Sequence, residues 1–154
     1  MKKEGVSLKI GVVTATRAEY GLLKPLIKKI NDDPDTELNL IVTGTHLIEK
    51  FGYTIKYIEE DGFPIMKKIP VEICTEDSTT ISQTMGRYFI SFAGVFESLQ
   101  LDFLVVLGDR YELIPICYCA ANAKIPIAHI SGGELTEGAI DDAVRHSVTK
   151  LSYL

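Results

Sequence analysis

The run Phe103-Leu-Val-Val-Leu107 is apolar at every position and stops abruptly at Gly108-Asp109-Arg110. A strand that is apolar on both faces belongs inside a parallel sheet with helices on both sides, because only there are both faces buried. In open sheets of that kind the ligand crevice lies outside the carboxyl ends of the strands. Asp109 and Arg110 therefore stand where chemistry is usually done. The plainer alternative is that Asp109 caps the helix that follows, a common use of Asp at a strand-to-helix turn.

The rest of the chain alternates strand and helix around that feature. Leu8–Thr14 reads as a first strand. Leu22, Leu23, Leu26, Ile27 and Ile30 fall at helical spacing within Tyr20–Ile30, with Pro25 near the helix start, where its missing N–H costs least. Asn31–Asp35 breaks the helix, and Leu38–Thr43 makes a second strand that runs into Gly44-Thr45-His46. A short helix through Tyr57–Glu60 leads to a weaker strand, Pro64–Val71, and then to one long helix from about Ser78 to Leu99, with Ser or Thr as its cap. Beyond Leu107 come a helix through Cys119 to Ala123, a fifth strand Ile125–Ile130, the turn Ser131-Gly-Gly-Glu134 and a helix beginning near Asp141. This order predicts a doubly wound, Rossmann-like α/β domain over residues 1–154 with a mostly parallel sheet. The end, Lys150-Leu-Ser-Tyr-Leu154, is apolar and reads as a domain cut before its next strand.

At 154 residues, 46% hydrophobic and 24% charged, the chain has the makings of one globular core. Its net charge of −5 argues against nucleic acid as a main partner, since binding a phosphate backbone needs a concentrated basic surface. No apolar run has the length of a signal peptide or a membrane span, so the expectation is a cytoplasmic protein with no membrane partner. Cys74, Cys117 and Cys119 lack metal-ligand spacing and read as buried reduced thiols. His46, His129 and His146 match no compact metal motif either, and no metal is expected.

The turn after the first strand is Thr14-Ala-Thr-Arg17-Ala-Glu19-Tyr20 and lacks the Gly-x-Gly-x-x-Gly that lets a backbone approach a pyrophosphate. That argues against NAD, NADP and FAD. Arg17 instead sits at a helix N-terminus, where oriented N–H groups and a guanidinium can hold a phosphate together. Its structural alternative is an ion pair with Glu19 or Asp109. A histidine after a strand, as at His46 and His129, is more often a hydrogen-bonded spacer than a catalyst. Gly132-Gly133 permits a sharp turn that presents Glu134 to the crevice. Asp141-Asp142, with Arg145-His146 one turn later, is either the acidic first turn of a helix or part of the site.

Taken in order, Thr16-Arg17-Ala-Glu19-Tyr20, Val42-Thr-Gly-Thr-His46, Leu107-Gly-Asp-Arg-Tyr-Glu112, His129-Ile-Ser-Gly-Gly-Glu134 and Ile140-Asp-Asp-Ala-Val-Arg-His146-Ser resemble the hydrolysing UDP-N-acetylglucosamine 2-epimerases of sialic-acid-type sugar biosynthesis. The resemblance implies the N-terminal half of a GT-B fold, two Rossmann-type domains facing across a cleft, with the C-terminal nucleotide-binding domain absent from this chain. It implies a UDP-sugar as substrate, no cofactor, and a homo-oligomer for the full-length enzyme. The implied reaction eliminates UDP from UDP-N-acetylglucosamine and hydrates the resulting glycal to N-acetylmannosamine. By the same resemblance Asp109, Glu134 and Asp141 are catalytic, and Arg17, Glu19, His46, Arg110, Ser131 and His146 bind substrate. One position departs from the pattern: Ser131 stands where the sialic-acid relatives often carry Glu. Either Glu134 covers that role or the substrate differs, for example a diacetamido-bacillosamine nucleotide on a legionaminic-acid route. The competing readings are a GT-B glycosyltransferase half-domain and, from another class, a self-contained flavodoxin-like binding or signalling module.

Overall fold

The computed structural model describes residues 7–137 and 140–154. Five strands, β1 (Leu8–Thr14), β2 (Thr36–Thr43), β3 (Ile65–Ile69), β4 (Phe103–Leu107) and β5 (Ile127–Ile130), form one all-parallel sheet in the order β3-β2-β1-β4-β5. Between them run helices α1 (Arg17–Asp32), α2 (Ile55–Glu60), α3 (Ser78–Phe92), α4 (Val95–Leu99) and α5 (Leu113–Asn122), and α6 (Ile140–Leu151) follows β5. Strand order reverses between β1 and β4, which puts the switch-point crevice beside Thr14 and Gly108.

Alternate residues along the central strands feed two cores, as two-sided burial requires. Val12, Leu40, Val42 and Val105 pack with Leu23 and Ile27 of α1 and with Ile55 and Ile58 of α2. Val13, Ile41, Leu104, Val106 and Ile127 pack on the opposite face with α3, α4, α5 and α6, through Tyr88, Phe92, Phe96, Ile116 and Val148. The all-apolar character of Phe103–Leu107 follows from its place at the centre of this sandwich. At the sheet edge, Tyr153 and Leu154 donate their backbone N–H groups to the Ile127 carbonyl, and His129 donates to the Leu154 carbonyl, in the pattern of a parallel ladder.

The structure departs from the sequence expectation at three local points. Helix α1 begins at Arg17 rather than Tyr20, because the Thr16 side chain accepts from the Glu19 N–H and caps it, so Pro25 lies inside the helix. That is tolerated because Gly21, whose carbonyl loses its partner, and Pro25 both lie on the exposed face. Helix α3 is capped by Asp77, with Thr80 closing a capping box, rather than by Ser or Thr. The single long helix expected over Ser78–Leu99 is two helices. The chain breaks at Ala93-Gly94, where Gly94 takes φ 77°, and the break lets Phe92 and Phe96 both enter the core.

A Cβ at position 94 would meet no atom within 4 Å, so Gly94→Ala tests the backbone conformation alone. The expected cost is about 1 kcal/mol, the penalty of a left-handed conformation for an L-residue, read as a shift of the urea midpoint at constant m-value.

Candidate active site

Arg145, on the second turn of α6, organises the carboxyl ends of β4 and β5. Its side chain is 2% exposed, and it donates from Nη1 to the Glu134 carbonyl at 2.8 Å and to Asp142 Oδ1 at 3.0 Å. From Nη2 it donates to Thr136 Oγ1 at 3.0 Å and forms a close ion pair with Asp109. Asp142 also accepts from the Thr136 N–H at 3.1 Å and lies 3.3 Å from the exposed His146 ring. One planar guanidinium thus fastens the β4 turn, the β5 loop and the start of α6 to each other. Asp109 is no helix cap: α5 starts at Leu113, four residues later, and the Asp109 side chain turns toward α6.

The Ser131–Gly133 turn is shaped by His129. Its Nε2 donates to the Gly108 carbonyl at 2.6 Å, and its Nδ1 lies 2.9 Å from Thr149 Oγ1. His129 is therefore the hydrogen-bonded spacer of the two readings, and it ties the β5 end to the residue before Asp109. A Cβ on Gly132 would lie 2.7 Å from both His129 Nδ1 and Thr149 Oγ1, so only glycine lets the loop pass. Ser131 takes φ 63°, the left-handed conformation that begins this reversal. Glu134 is exposed beyond it, held by its backbone carbonyl, and Asp141 is exposed on the first turn of α6.

On the other side of the switch point the β1–α1 turn brings Glu19 to the β4 end. Glu19 is 5% exposed and accepts from the Ala15 N–H at 3.3 Å. Burial pushes its carboxyl up to about 8, with the nearby Glu112 charge adding to the rise and Arg110 opposing it. Arg110 is half-exposed and pairs through Nε with the buried Glu112 at 2.5 Å. Arg17 pairs with neither Glu19 nor Asp109; its guanidinium lies 4.5 Å over the Tyr57 ring, beside a groove also lined by Lys24 and Asp61. His46 is fully buried, with Nε2 3.0 Å from Thr14 Oγ1 and Nδ1 2.8 Å from Thr54 Oγ1. Burial lowers its pKa to about 4, so it is neutral and its two nitrogens are already engaged. As placed, it braces the β1 and β2 ends and has no nitrogen to offer a ligand.

The structure thus brings Asp109, Glu134 and Asp142 around Arg145, and Glu19 with Arg110 around the β1–β4 gap. Asp142, not Asp141, carries the side-chain link to Arg145. Arg145 and Glu112 stand in the sequence motifs but were given no role of their own there. The available signal was weak: a cation three residues after Asp142 on an amphipathic helix, and a Glu just ahead of an apolar run. Among the described residues no cluster of three or more His, Cys, Asp or Glu side chains is placed to hold a metal ion, and no helix is long and apolar enough to cross a membrane.

Comparison with known proteins shows the family and the fold. A family model described as UDP-N-acetylglucosamine 2-epimerase matches residues 28–154. Among curated proteins, the chain is 45% identical over 146 residues to a GDP/UDP-N,N′-diacetylbacillosamine 2-epimerase (hydrolyzing) of Campylobacter jejuni, covering 95% of this chain and 38% of that protein. It is 37% identical over 145 residues to a UDP-N,N′-diacetylbacillosamine 2-epimerase (hydrolyzing) of Legionella pneumophila, covering 94% of this chain and 38% of that one. The chain therefore spans well under half the length of the curated relatives it matches. Among solved structures, a UDP-GlcNAc 2-epimerase from Neisseria meningitidis bound to UDP-GlcNAc superposes with a TM-score of 0.76 at 21% identity, over 94% of this chain and 38% of that one. A further UDP-N-acetylglucosamine 2-epimerase superposes with a TM-score of 0.80 at 18% identity, over 97% of this chain and 41% of that one.

The raised pKa of Glu19 has a signed consequence. Because the folded value, about 8, lies above the ordinary 4.5, the carboxyl's contribution to stability is complete below about pH 4.5 and is lost as pH rises through 8. Glu19→Gln should therefore gain melting temperature relative to the wild type between about pH 5 and about pH 9. A difference that does not change with pH would show that Glu19 is ionised throughout.

Proposed function

The chain belongs to the UDP-N-acetylglucosamine 2-epimerase family, and on that premise we propose that it forms the N-terminal domain of a hydrolysing UDP-sugar 2-epimerase. The observation that carries this reading is the convergence of the Asp109 and Asp142 carboxylates and the Glu134 backbone carbonyl on Arg145 at the carboxyl ends of β4 and β5. The substrate this reading favours is a UDP-N,N′-diacetylbacillosamine-type sugar rather than UDP-N-acetylglucosamine. The identities of 45% and 37% to hydrolysing enzymes named for that sugar support it, against 33% to a UDP-N-acetylglucosamine 2-epimerase of Neisseria meningitidis.

The chemistry follows from the bonds. The C1–O bond to UDP breaks while a base removes the C2 proton, leaving a glycal and UDP. Water then adds its hydroxyl at C1 and a proton arrives at C2 on the opposite face, giving a free 2-epimeric sugar. A C2–H is a weak acid, so positive charge at C1 must run ahead of proton removal, and carboxylates near the sugar ring stabilise it. Asp109 and Glu134 are proposed for that role and for proton transfer, with Asp141 near the same loop. Arg17 and Arg110 are proposed to face the diphosphate, His146 and Ser131 to line the sugar, and Glu19 and His46 to hold the β1 and β2 ends in place. We further propose that the complete protein, with its second domain, assembles as a homo-oligomer and works in the cytoplasm without a cofactor.

The test is UDP release by the complete two-domain protein from each of the two UDP-sugars. The diacetylbacillosamine nucleotide should be preferred by at least ~10-fold in kcat/KM, the scale on which a site built for a substrate's polar groups discriminates. Asp109→Asn should lower kcat by about 10² to 10⁴ with the fold intact, because Asp142, Thr136 and the Glu134 carbonyl still hold Arg145. No UDP release from either sugar, or near-normal activity of Asp109→Asn, would contradict the reading.

A further inference from the structure

We propose that Glu112 is a positioning residue, which holds Arg110 so that the free edge of its guanidinium faces the crevice between β1 and β4 and meets the diphosphate of the nucleotide sugar. This rests on the epimerase reading above and adds a residue to it. Glu112 occupies the cap position of α5 but makes no cap hydrogen bond, having turned helical at φ −63° and ψ −20°. Its side chain is 2% exposed; Oε1 takes the Arg110 Nε–H at 2.5 Å, and Oε2 is buried with no partner. A buried carboxylate with an unpaired oxygen is costly. Nothing in the stability of the fold repays it, because its partner is only two residues away in the chain and the bond ties no two elements together.

What the bond does fix is the direction of Arg110. With Nε taken, the guanidinium lies beside Tyr111, 5.8 Å from its ring centre, and the side chain is 44% exposed at the carboxyl end of β4. That fork suits a phosphate, which accepts two parallel N–H bonds. The neighbouring Asp109 is drawn the other way, to Arg145, so consecutive residues fan out to opposite sides of the β4 end.

A double-mutant cycle in the complete protein tests this, with UDP release as the readout. Arg110→Ala should lose on the order of 10² in kcat/KM, the usual effect of removing one preorganised donor to developing charge. Glu112→Leu, which replaces the buried carboxylate by an apolar side chain, should keep the melting temperature and yet lose at least ~10-fold in kcat/KM. In the Arg110→Ala background Glu112→Leu should add nothing, the signature of a residue acting only through its partner. Glu112→Gln should recover most of the activity, since its amide oxygen still accepts from Nε. Losses that multiply in the double variant, wild-type kinetics for Glu112→Leu, or loss of its fold would each overturn the proposal. Absence of UDP release from the wild-type protein would instead overturn the epimerase reading, and this proposal with it.

Discussion

The buried guanidinium of Arg145, shared among four partners, is the group on which the site's geometry depends. Burying a guanidinium is favourable only when its charge and donors are met, and here two carboxylates, a hydroxyl and a carbonyl meet them. The partners come from β4's turn, from the loop after β5 and from α6. Remove the cation and the acids of these segments repel one another without a common anchor. The His129 bridge from the Gly108 carbonyl to Thr149 repeats the connection, one residue away from Asp109. Between them the two links set the distance from the β4 turn to α6.

Around that anchor the switch-point crevice divides by charge. Toward α6 stand the carboxylates of Asp109 and Asp142; toward β1 stands the cation of Arg110, backed by Glu19 and Glu112. An elimination that builds positive charge at a sugar carbon while a diphosphate departs asks for this division. It also explains why a buried, proton-bearing Glu19 is tolerated: an ionised carboxylate there would sit against the Glu112 charge and weaken the field at Arg110.

Much of the fold was legible because burial leaves periodic marks. Strands β1, β2, β4 and β5 fall within three residues of where apolar runs place them, and Asp109 was visible as the polar stop after a two-sided strand. The misses are of another kind. Pro25 suggested a helix start, but the Thr16 cap upstream outweighs it. The apolar pattern of Ser78–Leu99 continues in register across Gly94, so nothing in the periodicity marks the break. Arg145 is visible in the sequence only as part of the Asp141–His146 group, either a helix start or part of the site; its role appears only when Asp109, 36 residues earlier, is folded against it. For His46 the residue pattern favoured a hydrogen-bonded spacer and the family resemblance a substrate contact; Thr14 and Thr54, which converge on it from segments that sequence spacing does not connect, make it a buried brace.

The central claim is that acids at the β4 and β5 ends drive elimination followed by hydration, and the fate of one hydrogen tests it most directly. With the complete protein acting on its UDP-sugar in deuterated water, the free sugar released should carry deuterium at C2 with inverted configuration, because the proton lost in elimination is replaced from solvent on the opposite face. Retention of the original C2 hydrogen in the product, or a product still joined to UDP, would contradict it.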